Sequence, residues 1–450
     1  MYIPRTEQEK AEMLRVIGVE AFDDLLADLP EDLRLKRALD LPPPLSEFEA
    51  KTTLKNLASL SADPDEWTCF LGGGVYDHYI PSIVDHMSSR SEFYTAYTPY
   101  QPEVSQGTLQ SVYEFQSLIT RLTGMDIANA SLYDGGTAIA EAALMAHAVN
   151  GRKHVIVSGC INPLRLAVLE AYLASSGFEI SVTGRQGGAT DPEEVRSLAG
   201  DDTCCVVLEN PNFFGVVENP GPIGEIARTN GALFIVSADP ISLGLLKAPS
   251  EYGADVVVGE GQSLGNSLSF GGSCLGFIAT RTQYVRRLPG RIVGRTVDVD
   301  GNRCFCLTLQ TREQHIRRER ATSNICTNQA LLALRATVYL CWLGKHGIAE
   351  VANLCFSKAV YAHKQLLAAG FSPRFTGPFF KEFVIKLPVD AATVVQRLAG
   401  HRIAPGIALG RFYENETDSL LIAFTEKRTK AEIDRLVLAL KNAAGTGGRG

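Results

Sequence analysis

Between residues 154 and 280, short apolar runs alternate with amphipathic stretches. The runs at 154–158, 179–183, 205–209, 233–237, 255–259 and 276–280 are strand-like, several of them rich in valine and isoleucine. The intervening segments, at about 163–176, 191–199, 222–230 and 241–248, read as helices. Strands separated by crossover helices predict a mostly parallel sheet covered by helices on both faces. In such a sheet, ligands sit beyond the carboxyl ends of the strands.

The flanking regions read differently. Leu109, Val112, Tyr113, Phe115, Leu118, Ile119 and Leu122 fall at helical spacing and predict an amphipathic helix over 108–123. After Gly124, the motif Tyr133-Asp134-Gly135-Gly136-Thr137-Ala138 leads into an alanine-rich helix ending near Asn150-Gly151. Residues 1–62 read as a helical and irregular arm. There Ser46 and Glu49 form a capping box that starts a helix toward Leu60, and Pro42, Pro43 and Pro44 stiffen the link before it. Beyond Leu331, long helices lead to strands near 382–387 and 419–424 and helices near 389–399 and 429–443. The expected division is an N-terminal arm (1–62), a large α/β domain (63–330), a small C-terminal α+β domain (331–445) and a disordered tail (446–450).

Composition narrows the function classes. Apolar content of 45% with 21% charged residues is that of a soluble globular protein. A net charge of -7 argues against nucleic acid or an anionic membrane as partner. No apolar run approaches the ~20 residues that span a bilayer, and the first residues lack the apolar core of a signal peptide. Ten cysteines, scattered and without a C-x-x-C pair, read as small buried hydrophobes in a reducing compartment, for which the cytoplasm is the simplest address. His315 and the seven other histidines show no ligand spacing, so no metal site is expected.

Candidate chemistry centres on 255–274. Val256, Val257 and Val258 open this stretch, which then breaks into a loop punctuated by Gly259, Gly261, Gly265, Gly271 and Gly272. In an α/β chain of this order, the loop after a late strand is where a pyridoxal-phosphate enzyme presents its Schiff-base lysine. Gln262, Ser263 and Leu264 stand there instead, and between Lys247 and Lys345 the chain has eleven arginines and no lysine. Gly135, Gly136 and Thr137 open a helix whose N-terminus suits an anion, although glycine there also serves tight helix packing. Asp239, just past a strand, is placed to pair with a pyridinium nitrogen or to cap the turn before Pro240. Gly72-Gly73-Gly74 is a weak phosphate-loop signal, because no strong strand precedes it and no Lys-Ser/Thr follows. Tyr94, Tyr97 and Tyr100, in a Tyr/Pro-rich segment, suit an interface, a pocket lining or a rigid surface loop. Arginines from Arg291 onward could hold carboxylates or phosphates, or form salt bridges between subunits.

This order of features resembles the aspartate-aminotransferase-type (fold type I) pyridoxal enzymes. More narrowly, it is similar to the subunit 1 (α, N-terminal-half) type of glycine decarboxylase, the P-protein of the glycine cleavage system. The similarity runs through 70–81, 94–103, 133–142, 209–215 and 261–265, and is most specific in 293–298, 309–318 and 321–328. Two features depart from that family: Asn162-Pro163 replaces a frequent His-Pro pair, and Cys304 and Cys306 replace Gly and Val.

The resemblance implies that a homologous subunit 2 (β) carries the lysine and binds pyridoxal 5'-phosphate covalently, in an α2β2 assembly. Glycine would lose its carboxylate with the pyridoxal ring as electron sink, and the aminomethyl group would pass to the lipoyl arm of H-protein. For this chain it implies no catalytic residue. Tyr94, Tyr97, Tyr100, Arg312, His315, Asn324 and Cys326 would shape the pocket or the interface with the partner, and Gly135, Gly136, Thr137 and Asp239 would be vestiges of a cofactor site. The alternatives are an independent aminotransferase or desulfurase of this fold, and a non-catalytic scaffold or regulator. The half-enzyme reading also requires that no primary amine of this chain be poised at the mouth of its own central sheet to condense with an aldehyde.

Overall fold

The structure is a computed structural model that describes residues 5–63, 66–185 and 187–445; the expected tail at 446–450 lies outside them. Two compact units are formed, Met1–Ser61 and Ala62–Gly450. In the first, Glu7–Ile17 and Glu47–Ala58 are helices opened by the capping boxes Thr6/Glu9 and Ser46/Glu49. No residue of either helix is buried.

The second unit is built on a seven-stranded sheet. Its strands are β1 (Ile127–Ala128), β2 (His154–Val157), β3 (Glu179–Val182), β4 (Thr203–Asn210), β5 (Leu233–Ala238), β6 (Val256–Glu260) and β7 (Gly276–Thr280). Their order is β1-β7-β6-β5-β4-β2-β3. The five from β3 to β6 are parallel, β7 runs against β6, and β1 runs against β7. Alternate residues of one strand feed two separate cores: Phe234 and Val236 of β5 pack on one face, Leu233 and Ile235 on the other. Burial on both faces explains why these strands read as unbroken apolar runs. Helix Gly135–Asn150 covers one face with Pro163–Leu173, and Gln106–Thr123, Pro220–Thr229 and the start of Ala330–Ala368 cover the other.

Two expectations are corrected. The helix expected over 241–248 is only a short 3-10 turn, Ser242–Gly244, because Pro240 and Pro249 leave too little chain between them for a regular helix. The arginine-rich segment contains an antiparallel hairpin, β8 (Ile292–Val297) with β9 (Arg303–Thr308), that the sequence reading did not place.

The long helix Ala330–Ala368 kinks at Gly344 and leads to a four-stranded antiparallel sheet. In it Glu382–Lys386 pairs with Ser419–Ala423, backed by helices Ala391–Ala399 and Lys430–Ala443. A two-residue strand, Thr68–Cys69, pairs with Ile403–Ala404, and the Ala423 N–H donates to the Phe70 carbonyl at 3.0 Å. Those bonds fix the course of Phe70–Tyr76, which passes from the small sheet to the carboxyl ends of the central strands. Among the described residues, no helix is long and apolar enough to cross a membrane.

Candidate functional site

Register places the chemistry. Glu209 of β4 lies opposite Ser237 of β5, and Asp239 directly follows β5. Glu260 is the last residue of β6. Helix Gly135–Asn150 begins beside these ends, with the Asp134 carboxylate accepting the Thr137 N–H at 2.6 Å as an N-cap. The first N–H of the helix, that of Gly135, donates to Glu260 Oε2 at 3.0 Å. The other oxygen, Oε1, accepts the N–H groups of Gln262 at 2.9 Å and Leu275 at 2.7 Å. The anion expected at this helix N-terminus is therefore the chain's own carboxylate. Burial pushes Glu260 up from the usual carboxylate range, while the Leu275 and Gly135 N–H groups and Arg165 pull it back.

Arg165 reaches in from helix Pro163–Leu173. Its Nη1 lies 2.5 Å from Glu209 Oε1 and 3.2 Å from Ser237 Oγ, bridging two strand ends. Asn162, one turn earlier, caps that helix, donates its amide to the Gly73 carbonyl at 2.6 Å, and gives its N–H to Glu209 Oε2, also at 2.6 Å. It draws the glycine segment into the site instead of stacking a ring there. Gly74 has φ +104, and a Cβ on it would sit 2.8 Å from the Arg165 guanidinium. The Gly73 N–H donates to Glu382 Oε2 at 2.9 Å, so the glycine triplet cradles an internal carboxylate rather than a phosphate.

Lys381 completes the cluster. It precedes the strand Glu382–Lys386, is 1% exposed, and places Nζ 2.7 Å from Asp239 Oδ2. The same ammonium lies 3.1 Å from His78 Nε2 and 3.5 Å from the centroid of the Tyr76 ring. Asp239 keeps its other expected task, accepting the Ile241 N–H at 3.0 Å. Tyr76 donates its hydroxyl to Glu382 at 2.5 Å, and burial pushes Glu382 up to about 7. Here the structure adds a residue that the sequence reading did not place. A primary amine does stand at the ends of the central strands, but it is enclosed, held by a carboxylate and capped by a ring, so it is not poised to condense with an aldehyde.

On the loop itself, Gln262 is a clasp. Its Oε1 accepts the Tyr76 N–H at 3.0 Å, and its Nε2 donates to the carbonyls of Tyr76 at 3.1 Å and Asn266 at 2.7 Å. Ser263 is buried beside it, and Leu264 belongs to the apolar core.

Pyridoxal phosphate, the group this fold family implies, does not fit these residues. It would need the Gly135 N–H for its phosphate, the Asp239 carboxylate for its ring nitrogen and an amine on the 262–264 loop. Glu260 engages the first, Lys381 the second, and the third position is Gln262.

The remaining candidates lie elsewhere and fall into two groups. Tyr94 and Tyr97 border a cavity of about 280 Å³ together with Arg291, Asn328 and Leu334. Arg291 gathers Tyr100 (hydroxyl at 3.3 Å), the Cys326 carbonyl (2.7 Å) and Asn328 Oδ1 (3.1 Å). His315 packs edge-on to Tyr100 at 6.3 Å and lies 3.6 Å from Glu313. Asn324 accepts from Gln314 at 3.4 Å. Arg312, by contrast, spends its donors on the carbonyls of Leu288, Gly290 and Leu309, and thus clamps its own loop.

Sequence reasoning missed Arg165, Glu260, Lys381 and Tyr76. Arg165 and Glu260 flank motifs that were noticed, but Lys381 comes from a distant strand and carried no local signal. Among the described residues, His78, Cys355 and Glu426 present ligand atoms within 4.8 Å of one another. His78 Nδ1 already contacts Glu426 at 2.7 Å, and the Lys381 ammonium faces the other ring nitrogen.

Comparison with known proteins identifies the family. Residues 1–440 match the family model of the glycine cleavage system P-protein. A probable glycine dehydrogenase (decarboxylating) subunit 1 from Chlorobaculum tepidum is 53% identical over 441 residues, covering 98% of this chain and 99% of the relative. The crystal structure of a glycine decarboxylase (P-protein) of the glycine cleavage system, in inhibitor-bound form, matches with a TM-score of 0.90 at 45% identity, covering 98% of this chain and 100% of that one. A sphingosine-1-phosphate lyase from Burkholderia pseudomallei shares the fold alone, with a TM-score of 0.66 at 13% identity over 93% of this chain and 94% of that one. The expected fold type I architecture is thereby met.

Proposed function

The chain belongs to the glycine cleavage system P-protein family, and from that premise we propose that it is subunit 1 of a heteromeric glycine dehydrogenase (decarboxylating) whose second subunit binds pyridoxal 5'-phosphate covalently. With that partner it decarboxylates glycine and passes the aminomethyl group to the lipoyl arm of H-protein, in an α2β2 assembly in the cytoplasm. The observation that carries this reading is the self-filled site at the ends of β4, β5 and β6. A chain whose cofactor contacts are taken by its own side chains needs another polypeptide to supply the chemistry.

Exposed apolar surface supports a partner. Tyr97 is 86% exposed, Tyr94 67% and Trp342 57%, and Trp342 borders an open cavity of about 590 Å³ with Ile83, Met87 and Phe93. Within the arm, Phe22, Leu33, Leu41, Phe48 and Leu60 are all exposed as well. These surfaces and the Tyr100–Arg291–Cys326 group are the contact regions we assign to subunit 2.

The test is glycine–bicarbonate exchange with H-protein by each subunit alone and by both together. Exchange should need both subunits. Exchange by this chain alone, or undiminished exchange by subunit 2 alone, would overturn the reading and favour an independent enzyme or a regulator, respectively.

A further inference from the structure

We propose that Glu260 and Lys381 are internal substitutes for a cofactor's phosphate and ring nitrogen, so that this chain holds its site permanently in a filled, ligand-free form. The disagreement between the residues and the group the fold implies is specific at both ends. At one end three backbone N–H groups, from Gly135, Gln262 and Leu275, converge on the Glu260 carboxylate at 2.7–3.0 Å. One of them is the first N–H of a sixteen-residue helix, where an anion is favoured by orphan donors and by the helix dipole. Arg165, whose guanidinium is paired with Glu209 at 2.5 Å, adds a positive charge near enough to favour the ionised Glu260 carboxylate. At the other end the Lys381 ammonium occupies Asp239 at 2.7 Å and covers the Tyr76 face at 3.5 Å.

An uncompensated buried anion or orphaned N–H cluster is costly. An apo-type site with vacant donors would therefore drain stability from the chain, and an internal carboxylate and ammonium remove that cost. This inference concerns the chain's own residues and stands whether or not subunit 2 is the partner; failure of the exchange assay would leave it untouched.

The experiment uses the full-length chain with inorganic phosphate and with pyridoxal 5'-phosphate, at ionic strength matched with sodium chloride. Wild type should show no phosphate-specific rise in melting temperature. Glu260→Ala, which frees the three N–H groups and leaves room beside Arg165, should gain a rise of about 3–5 °C at tens of millimolar phosphate. Glu260→Gln, which keeps the space filled, should gain none. A phosphate-specific rise in wild type, or a folded Glu260→Ala chain indifferent to phosphate, would overturn the proposal.

A second measurement needs no variant. Wild type treated with pyridoxal 5'-phosphate and borohydride should carry the pyridoxyl label on exposed lysines such as Lys10 and Lys51, with Lys381 unlabelled by peptide mapping. Label on Lys381 would sink the idea even if Glu260→Ala proved insoluble.

Discussion

Lys381 Nζ stands 2.7 Å from Asp239 Oδ2, joining the residue just before a strand of the small antiparallel sheet to the carboxyl end of a central parallel strand. Both side chains are nearly enclosed, at 1% and 11% exposed, so each depends on the other for neutralisation. Breaking one side of such a pair leaves a buried charge uncompensated. Lys381→Met should cost about 3–5 kcal/mol in denaturant unfolding, and Asp239→Asn a comparable amount. The double variant should cost clearly less than the sum, which a double-mutant cycle reads directly. Additive losses would show that the two side chains do not interact.

A buried carboxyl of a different kind sits in helix Gly135–Asn150. Glu141 is 1% exposed, and among the described residues neither carboxylate oxygen has a hydrogen-bond partner. Burial pushes it up to about 7, and the nearby Ser323 hydroxyl offsets little of that. A carboxyl raised on folding binds its proton more tightly in the native state, so stability falls as pH rises from about 4.5 to 7. The penalty is fully present above that window, at about 3 kcal/mol for a shift of this size. Glu141→Gln should therefore be more stable than wild type at pH 8, with the difference vanishing near pH 4. A constant difference across that range would refute the assignment.

Glu426 behaves in the opposite sense. Burial pushes it up, but the His78 imidazole at 2.7 Å and the Tyr79 N–H at 2.6 Å outweigh burial and hold it down at about 2. A depressed carboxyl contributes stability above about 4.5 that is lost as pH falls toward 2. Glu426→Gln should lose about 3 kcal/mol at pH 7 and flatten the acid limb of the stability profile. An unchanged acid limb would mean the His78 contact contributes nothing.

The exposed tyrosines separate assembly from folding. Tyr97, at 86% exposed, has little to lose within the chain, so Tyr97→Ser should leave the chain's own melting temperature within about 1 °C of wild type. If it faces subunit 2, the same variant should weaken co-purification and exchange activity about tenfold, as removal of an aromatic anchor does. Full activity of the assembled Tyr97→Ser enzyme would remove this segment from the proposed interface.

Much of the large α/β fold was legible because its strands are buried on both faces. Val256 to Val258 and Leu233 to Val236 announce a central parallel strand without help from the rest of the chain. The hairpin at 292–308 was hidden by its composition, since Arg295, Thr296 and Val297 are exposed on one strand and Arg303 begins the other. The site was half legible. Asp239 and Gly135 were recognisable because a strand end and a helix start are local facts. What occupies them was not, because Glu260 acts by turning back across its own strand end and Lys381 arrives from another sheet. Glu141 was hidden as well: in an alanine-rich helix a single carboxylate reads as the solvent-facing position, and only packing reveals that it points inward.

Gln262 fixes the course of the glycine-rich segment through both peptide groups of Tyr76, at 3.0 and 3.1 Å. A lysine placed at this position would forfeit all three bonds that the amide makes. The surroundings are built around the Gln262 amide, so one substitution to lysine would not by itself make a Schiff-base site.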